Sequence, residues 1–335
     1  METKVKPTQY LNILRVWACF AVIIFHLSGS IFVAFRDEMS SLEFILFARG
    51  RHFWSWNIPI FLMISGVLFL NPAKKIPLKK LFTRYISRIL LALFLFGFGY
   101  AFLELFYESH FQFEFIQLAQ ALGNVIQGKV WVHLWYLYLI FGIYLLLPLL
   151  KPFAEHVSQT TYAYILIVLF LFAGLVPIIE IWANIEIGFE IPLASLYVLY
   201  FLLGHYLHYY DIHIKNVIGI MILIIYTFCI FILPLERLDH NILTPLIILA
   251  ASAIFVLVRQ TIKTDRGYAK ITLLCFGVYL IHQLFIHILF EGFENLLGGI
   301  PLFYVFIAGL VAVSGLSFLF TFVARKIKIV RDYLL

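Results

Sequence analysis

The sequence predicts an all-α fold: a polytopic integral membrane bundle of about ten transmembrane helices, with both termini in the cytoplasm. Three observations carry this. Of the 335 residues, 63% are hydrophobic and only 13% are charged, and the mean hydropathy is +0.99. A soluble domain is about half apolar and about a quarter charged, so a chain this apolar cannot cover itself with polar surface. The apolar residues also fall into runs near the ~20 residues that a helix rising ~1.5 Å per residue needs to cross a bilayer. Finally, Lys and Arg are distributed one-sidedly over the loops between those runs.

Ten such runs follow one another along the chain. The first, 10–33, holds Arg15 in its first third, and no small-x-small cleavage site follows it. It reads as a retained helix and not as a signal peptide. The second, 53–71, contains Pro59, and the third, 86–106, emerges from the basic stretch "KKIPLKKLFTRYISR". The fourth, 131–150, opens in "KVWVHLWYLYL", and the fifth is 161–180. The sixth and seventh, 193–210 and 216–235, are parted only by "DIHIK". The eighth to tenth are 241–258, 271–290 and 301–324. No internal repeat and no low-complexity linker stand out. The chain therefore reads as one transmembrane domain over residues 1–335, with no room for a soluble catalytic domain. Chemistry must occur in the bundle or its loops. The abundance of Phe (36) and Tyr (19) suits lipid-facing surfaces and interfacial belts.

With the N-terminus inside, the basic residues sort as follows. Inside lie Lys4 and Lys6; Lys74, Lys75, Lys79, Lys80, Arg84 and Arg88; Lys151; Lys215; Arg259, Lys263, Arg266 and Lys270; and Arg325, Lys326, Lys328 and Arg331. Outside lie Arg36, Arg49, Arg51, Lys129 and Arg237. That is 18 against 5, with Arg15 inside the first helix completing the total of 24. This asymmetry also accounts for the net charge of +6 without nucleic acid as a partner. The three cysteines, Cys19, Cys229 and Cys275, all lie in apolar runs without C-x-x-C spacing, and read as small buried hydrophobes with no structural disulfide.

Ionisable groups inside a bilayer cost several kcal/mol and are functional candidates by default. Arg15 and His26 are eleven residues apart, which at ~100° per residue puts them on one helix face, with Val22 between, about 16 Å apart along the axis. Arg15 then sits in the cytoplasmic half and His26 in the outer half. The bland alternative is an arginine snorkelling to the headgroups and a histidine bonded to a neighbouring helix. His133, at the outer end of the fourth helix, and His282, past the midplane of the ninth, fall in the same outer half. Neutral imidazole is suited to proton transfer near pH 7; an interfacial residue and an interhelical hydrogen bond are the respective alternatives. Arg84 and Arg88, at i and i+4, share a face at the cytoplasmic start of the third helix, as a phosphate-binding pair would. Topology and anionic headgroups explain them as well. His205, His208 and Asp211 have i, i+3, i+6 spacing, but successive steps of three drift around the helix, so a metal site is the weaker reading and none is expected. Walker A, G-x-S-x-G and H-E-x-x-H motifs and the dinucleotide fingerprint are all absent from the sequence. The helices lack a midplane carboxylate of the kind a proton-coupled transporter would use; Glu104 and Glu180 sit near outer ends.

At this point the chain resembles the acyltransferase-3 family of integral membrane acyltransferases, in its branch that modifies bacterial surface polysaccharides. "LRVWACFAVIIFH" is similar to the family's first helix, with Arg15, Ala18 and His26 in its pattern. "NIPIFLMISGVLFL", with Pro59, Ser65 and Gly66, is similar to the second, and "LFTRYISRIL" to the arginine-bearing start of the third. "HLWYLYLIFGIYLLLP" and "VYLIHQLF" resemble later segments. The resemblance spans about residues 10 to 325. One departure is Asn12, where many relatives carry Asp shortly before the arginine.

The resemblance implies acyl transfer across a bacterial cell membrane. Cytoplasmic acyl-CoA, with acetyl-CoA as the first choice, would donate to a hydroxyl of a capsule, an exopolysaccharide or a lipid-linked glycan. No cofactor would be bound permanently. Arg84 and Arg88 would hold the CoA phosphates, and Arg15 would orient the donor. His26 would be the general base, with His133 or His282 as second base or acyl relay. An O-succinyltransferase is a variant of this reading. A glycan or lipid-linked sugar exporter is the principal alternative, and a structural subunit of a glycan-synthesis complex a third. The aromatic outer stretches "RHFWSW" and "KVWVHLWYLY" would suit sugar stacking in an enzyme or an exporter alike.

Overall fold

A computed structural model of the chain describes residues 8–189, 195–233, 240–262, 264, 267–297 and 299–335, with the backbone alone at 240–242 and 291–297. Among the described residues all regular structure is helical. In chain order the helices are α1 (Tyr10–Phe35), α2 (Ser41–Phe53), α3 (Asn57–Phe69), α4 (Leu78–Glu108), α5 (Phe115–Gln127), α6 (Trp135–His156), α7 (Gln159–Ala183), α8 (Leu196–Tyr209), α9 (Asn216–Ile232), α10 (His240–Thr261), α11 (Tyr268–Thr272), α12 (Cys275–Leu297) and α13 (Leu302–Ala324). Lys4, Lys6, Arg237, Lys263 and Arg266, used above for topology, lie outside the described residues.

Each expected run carries a helix, and seven stretches are long and apolar enough to cross a membrane: Tyr10–Glu38, Ser41–Phe69, Leu78–Glu108, Val132–His156, Gln159–Ala183, Leu243–Thr261 and Leu302–Ala324. Asn216–Ile232 and Cys275–Phe290 are apolar but shorter, and α8 has 14 residues. Two boundaries differ instructively. The second run was expected to start at 53, yet α2 begins at Ser41. Ser40 accepts from the Glu43 amide while the Glu43 carboxylate accepts from the Ser40 backbone N–H, a reciprocal cap that starts a helix whatever the hydropathy. The third was expected from 86, yet α4 starts at Leu78, just after Pro77, whose fixed φ suits a helix start. Lys79, Lys80 and Arg84 therefore ride on the helix itself. Their long stems can lie along it while the charges reach water. The wide i→i+5 turns at Leu81–Ile86 and Leu93–Gly97 interrupt its α-helical bonding. Finally, α5 occupies a stretch expected as loop.

The chain divides into two compact units, residues 1–72 with 153–318, and residues 73–152 with 319–335. In the first, α1 is the central helix, packed against α2, α3, α10, α11 and α12. Leu11, Ile13, Leu14, Val16, Ala18, Ala21, Val22 and Ile23 are all buried, so both sides of α1 face protein. Lipid tails are as apolar as these side chains, so close packing and hydrogen bonds, more than the hydrophobic effect, hold such a helix in place. In the second unit, α5 packs on α4.

Candidate active site

The site is built on α1 and α12. Helix α1 is unbroken from Tyr10 to Phe35, so Arg15 and His26 do stand on one stripe of a regular helix. From α1, Val16, Cys19, Ile23, Leu27 and Ile31 join Cys275, Val278, Ile286 and Phe290 of α12 in one buried apolar cluster. Within this seam lie two polar rungs. The Cys19 thiol donates to the Cys275 carbonyl at 3.8 Å. Seven residues further along both helices, the rings of His26 and His282 stand 5.2 Å apart, tilted by 53°. Equal separations on the two helices mean that α1 and α12 run parallel in register, with rungs about 10 Å apart.

The two histidines differ in their surroundings. His282 is fully buried, whereas His26 is only half-buried. The Nδ1 of His282 lies 2.8 Å from the Tyr279 carbonyl and 3.2 Å from that of Val278. A carbonyl can only accept, so Nδ1 carries the proton, which leaves Nε2 as the lone-pair nitrogen whenever the ring is neutral. His282 is thus held in one tautomer by its own helix, with its ring beside that of His26.

Arg15 is half-buried one helical turn before Cys19. Asn12, where many relatives carry Asp, is tied in through its backbone: its carbonyl accepts from the Thr272 hydroxyl at 3.1 Å, fixing the start of α1 to the end of α11.

The other expected residues belong to the second unit. His133 is buried, 5.7 Å from the Tyr100 ring and 6.4 Å from that of Trp131, which stack on each other at 4.2 Å and 3°. Arg84 is exposed in the first wide turn of α4. Arg88 is half-buried and donates its Nε to the Leu334 carbonyl at 3.0 Å. The shared face expected from i, i+4 spacing therefore gives the two arginines different surroundings. In the first unit, the triplet His205, His208 and Asp211 disperses. His205 meets the Tyr162 hydroxyl at 3.2 Å, His208 meets that of Tyr10 at 2.8 Å, and Asp211 pairs with Arg259 at 3.4 Å.

A search against protein-family models matches residues 8–323 to the acyltransferase-3 model, described as an acyltransferase domain. The chain belongs to the acyltransferase-3 family. It is a membrane protein and an acyltransferase in the general sense of that family. No curated protein and no solved structure matches it.

The geometry of this acyltransferase also exposes a signal overlooked in the sequence. The octapeptides "CFAVIIFH" (19–26) and "CFGVYLIH" (275–282) share Cys, Phe, Val and His at the same four positions. They are the two segments that form the rungs. The two strings lie 256 residues apart in the chain, and the packing of α1 on α12 brings them side by side.

Proposed function

We propose that this acyltransferase moves an acyl group, acetyl as the first choice, from cytoplasmic acyl-CoA to a hydroxyl of a cell-surface or lipid-linked glycan in a bacterial cell membrane. The observation that supports it best is the His26–His282 pair, in which the Nδ1 of His282 is anchored on a backbone carbonyl and His26 is only half-buried.

A sugar hydroxyl is too weak an acid to attack a thioester unaided. In this reading His26 takes the hydroxyl proton as the oxygen bonds to the thioester carbon. His282, anchored by the Tyr279 carbonyl with its ring 5.2 Å from that of His26, steadies the charged imidazole as it forms. The tetrahedral intermediate then expels the CoA thiolate, which recovers the proton from His26. Arg15 lies about 16 Å from His26 along the axis, so it serves a remote part of the donor and not the reacting carbonyl. Arg84, being exposed, is the better candidate for a CoA phosphate; Arg88 already spends one donor on the chain's own backbone. His133 is kept as a candidate second base.

The test is proton NMR of ester-linked acetyl on the surface polysaccharide of a deletion strain. The strain is complemented with wild type, His26→Ala or Arg15→Ala at matched expression. Wild type restores the acetyl signal and His26→Ala does not. Full acetylation with His26→Ala would overturn the mechanism. Loss of the polymer itself in the deletion strain would favour the exporter reading. Labelled acetyl-CoA and succinyl-CoA, supplied to membranes, separate the two acyl groups.

A further inference from the structure

We infer that α5 is an interfacial helix whose apolar face docks into the headgroup–acyl boundary of the bilayer, irrespective of lipid charge. The inference depends on the membrane placement of the chain and not on which acyl group or acceptor it uses.

At 13 residues α5 is about 20 Å long, too short to cross a bilayer. It connects two membrane-crossing stretches, Leu78–Glu108 and Val132–His156, on the same side of the membrane. Both its ends are tied to theirs. At its start, the Gln117 side chain donates to the Ser109 hydroxyl at 3.0 Å and to the Gln112 carbonyl at 3.1 Å. At its end, the Tyr138 hydroxyl of α6 donates to the Val125 carbonyl at 2.5 Å. The helix is therefore held at the level where the chain leaves and re-enters the bilayer.

Its surface has three sectors. Gln117, Ala121 and Val125 are buried. Gln120, Asn124 and Gln127 form a polar side that is exposed or half-exposed. Phe115 (82% exposed), Leu118, Ala119, Leu122 and Ile126 (77% exposed) lie within an arc of roughly 100° on the remaining side. Ile116 sits at the border. Phe111 and Phe113, just before the helix, and Tyr107, at the end of α4, extend this apolar surface, and it continues into the exposed Leu103 of α4 itself. A bilayer that bathes the exposed side chains of α4 reaches this arc without a break. A helix with one apolar arc and one polar arc, fixed at the membrane surface, lies in the interfacial plane with its apolar side sunk about 5–10 Å. Unlike most such helices it carries no charged residue. The amides of its polar side suit the ester and headgroup level of zwitterionic and anionic lipids alike.

The test places nitroxides singly at Phe115, Leu122 and Ile126 (Phe115→Cys, Leu122→Cys, Ile126→Cys) and at Gln120 and Gln127 (Gln120→Cys, Gln127→Cys). The background has Cys19, Cys229 and Cys275 changed to Ser, and the protein sits in nanodiscs of zwitterionic or mixed anionic lipid. Collision with oxygen, which partitions into lipid, is compared with collision with a water-soluble nickel chelate. The oxygen-to-nickel ratio should be severalfold higher at the apolar sites, in helical period and equally in both lipids. Equal nickel access all round the helix would overturn the inference. So would low access to both reagents with spin–spin broadening at Leu122 and Ile126, which would mean that a second copy covers the face. The unaltered protein supplies a second reading: a lipid-soluble carbene reagent should label Phe115 and Leu122 well above Gln120 and Gln127. Equal labelling would overturn the inference even if the cysteine variants fail to fold.

Discussion

Gly66 of α3 and Gly204 of α8 lock their helices together backbone to backbone. A Cβ at Gly66 would fall 1.8 Å from the Phe201 carbonyl oxygen, and one at Gly204 would fall 2.3 Å from that of Met63. Phe201 lies three residues before Gly204, and Met63 three before Gly66, so each glycine receives the turn that precedes the other. Small residues that let backbones approach are the usual device for joining helices in lipid.

Gly66→Ala and Gly204→Ala should each destabilise the protein by about 1–3 kcal/mol or more, since the obstructing atoms are backbone and cannot rotate away. Thermal unfolding in detergent, followed by size-exclusion chromatography, reads this. Gly29→Ala, where nothing lies within 4 Å of an added Cβ, should leave the midpoint unchanged or raise it. Equal midpoints for Gly66→Ala and wild type would mean that α3 and α8 do not cross in this way.

His282 should act through His26. His282→Asn can keep a donor to the Tyr279 carbonyl while losing the lone pair on Nε2. It should retain the thermal midpoint yet lower kcat by about 100-fold, with KM nearly unchanged. A parallel loss of midpoint and rate would make His282 merely structural.

The two basic residues at the start of α4 should separate. Arg84→Gln should raise the KM for acyl-CoA with little effect on stability. Arg88→Gln should lower the thermal midpoint, because it strands the Leu334 carbonyl, a loss of about 1–3 kcal/mol. Steady-state kinetics and melting on the same preparations check both. The reverse pattern would transfer the phosphate role to Arg88.

The register of α1 on α12 can be read chemically. Mild copper–phenanthroline oxidation in membranes should link Cys19 to Cys275 in preference to Cys229, as seen by peptide mass spectrometry. A Cys19–Cys229 link instead would put α1 against α9 and break the His26–His282 pairing.

Much was legible in the sequence because it depends on local or summed properties. Hydropathy and charge asymmetry gave the membrane helix bundle. Periodicity put Arg15 and His26 on one stripe, since an unbroken α-helix fixes that angle from residue number alone. The motifs around Pro59, Gly66 and His282 pointed to the family. Other features depend on which helices touch, and residue order does not contain that. The fixed tautomer of His282 comes from the Tyr279 carbonyl, a backbone group that no side-chain motif displays. Arg84 and Arg88 share a spacing but not an environment, because the C-terminal turn reaches only Arg88. The paired "CFAVIIFH" and "CFGVYLIH" segments were in plain view, yet only the parallel packing of α1 and α12 turns two matching strings into two facing rungs. Helical geometry thus fixed which residues share a face. Close packing between distant segments decided which faces meet.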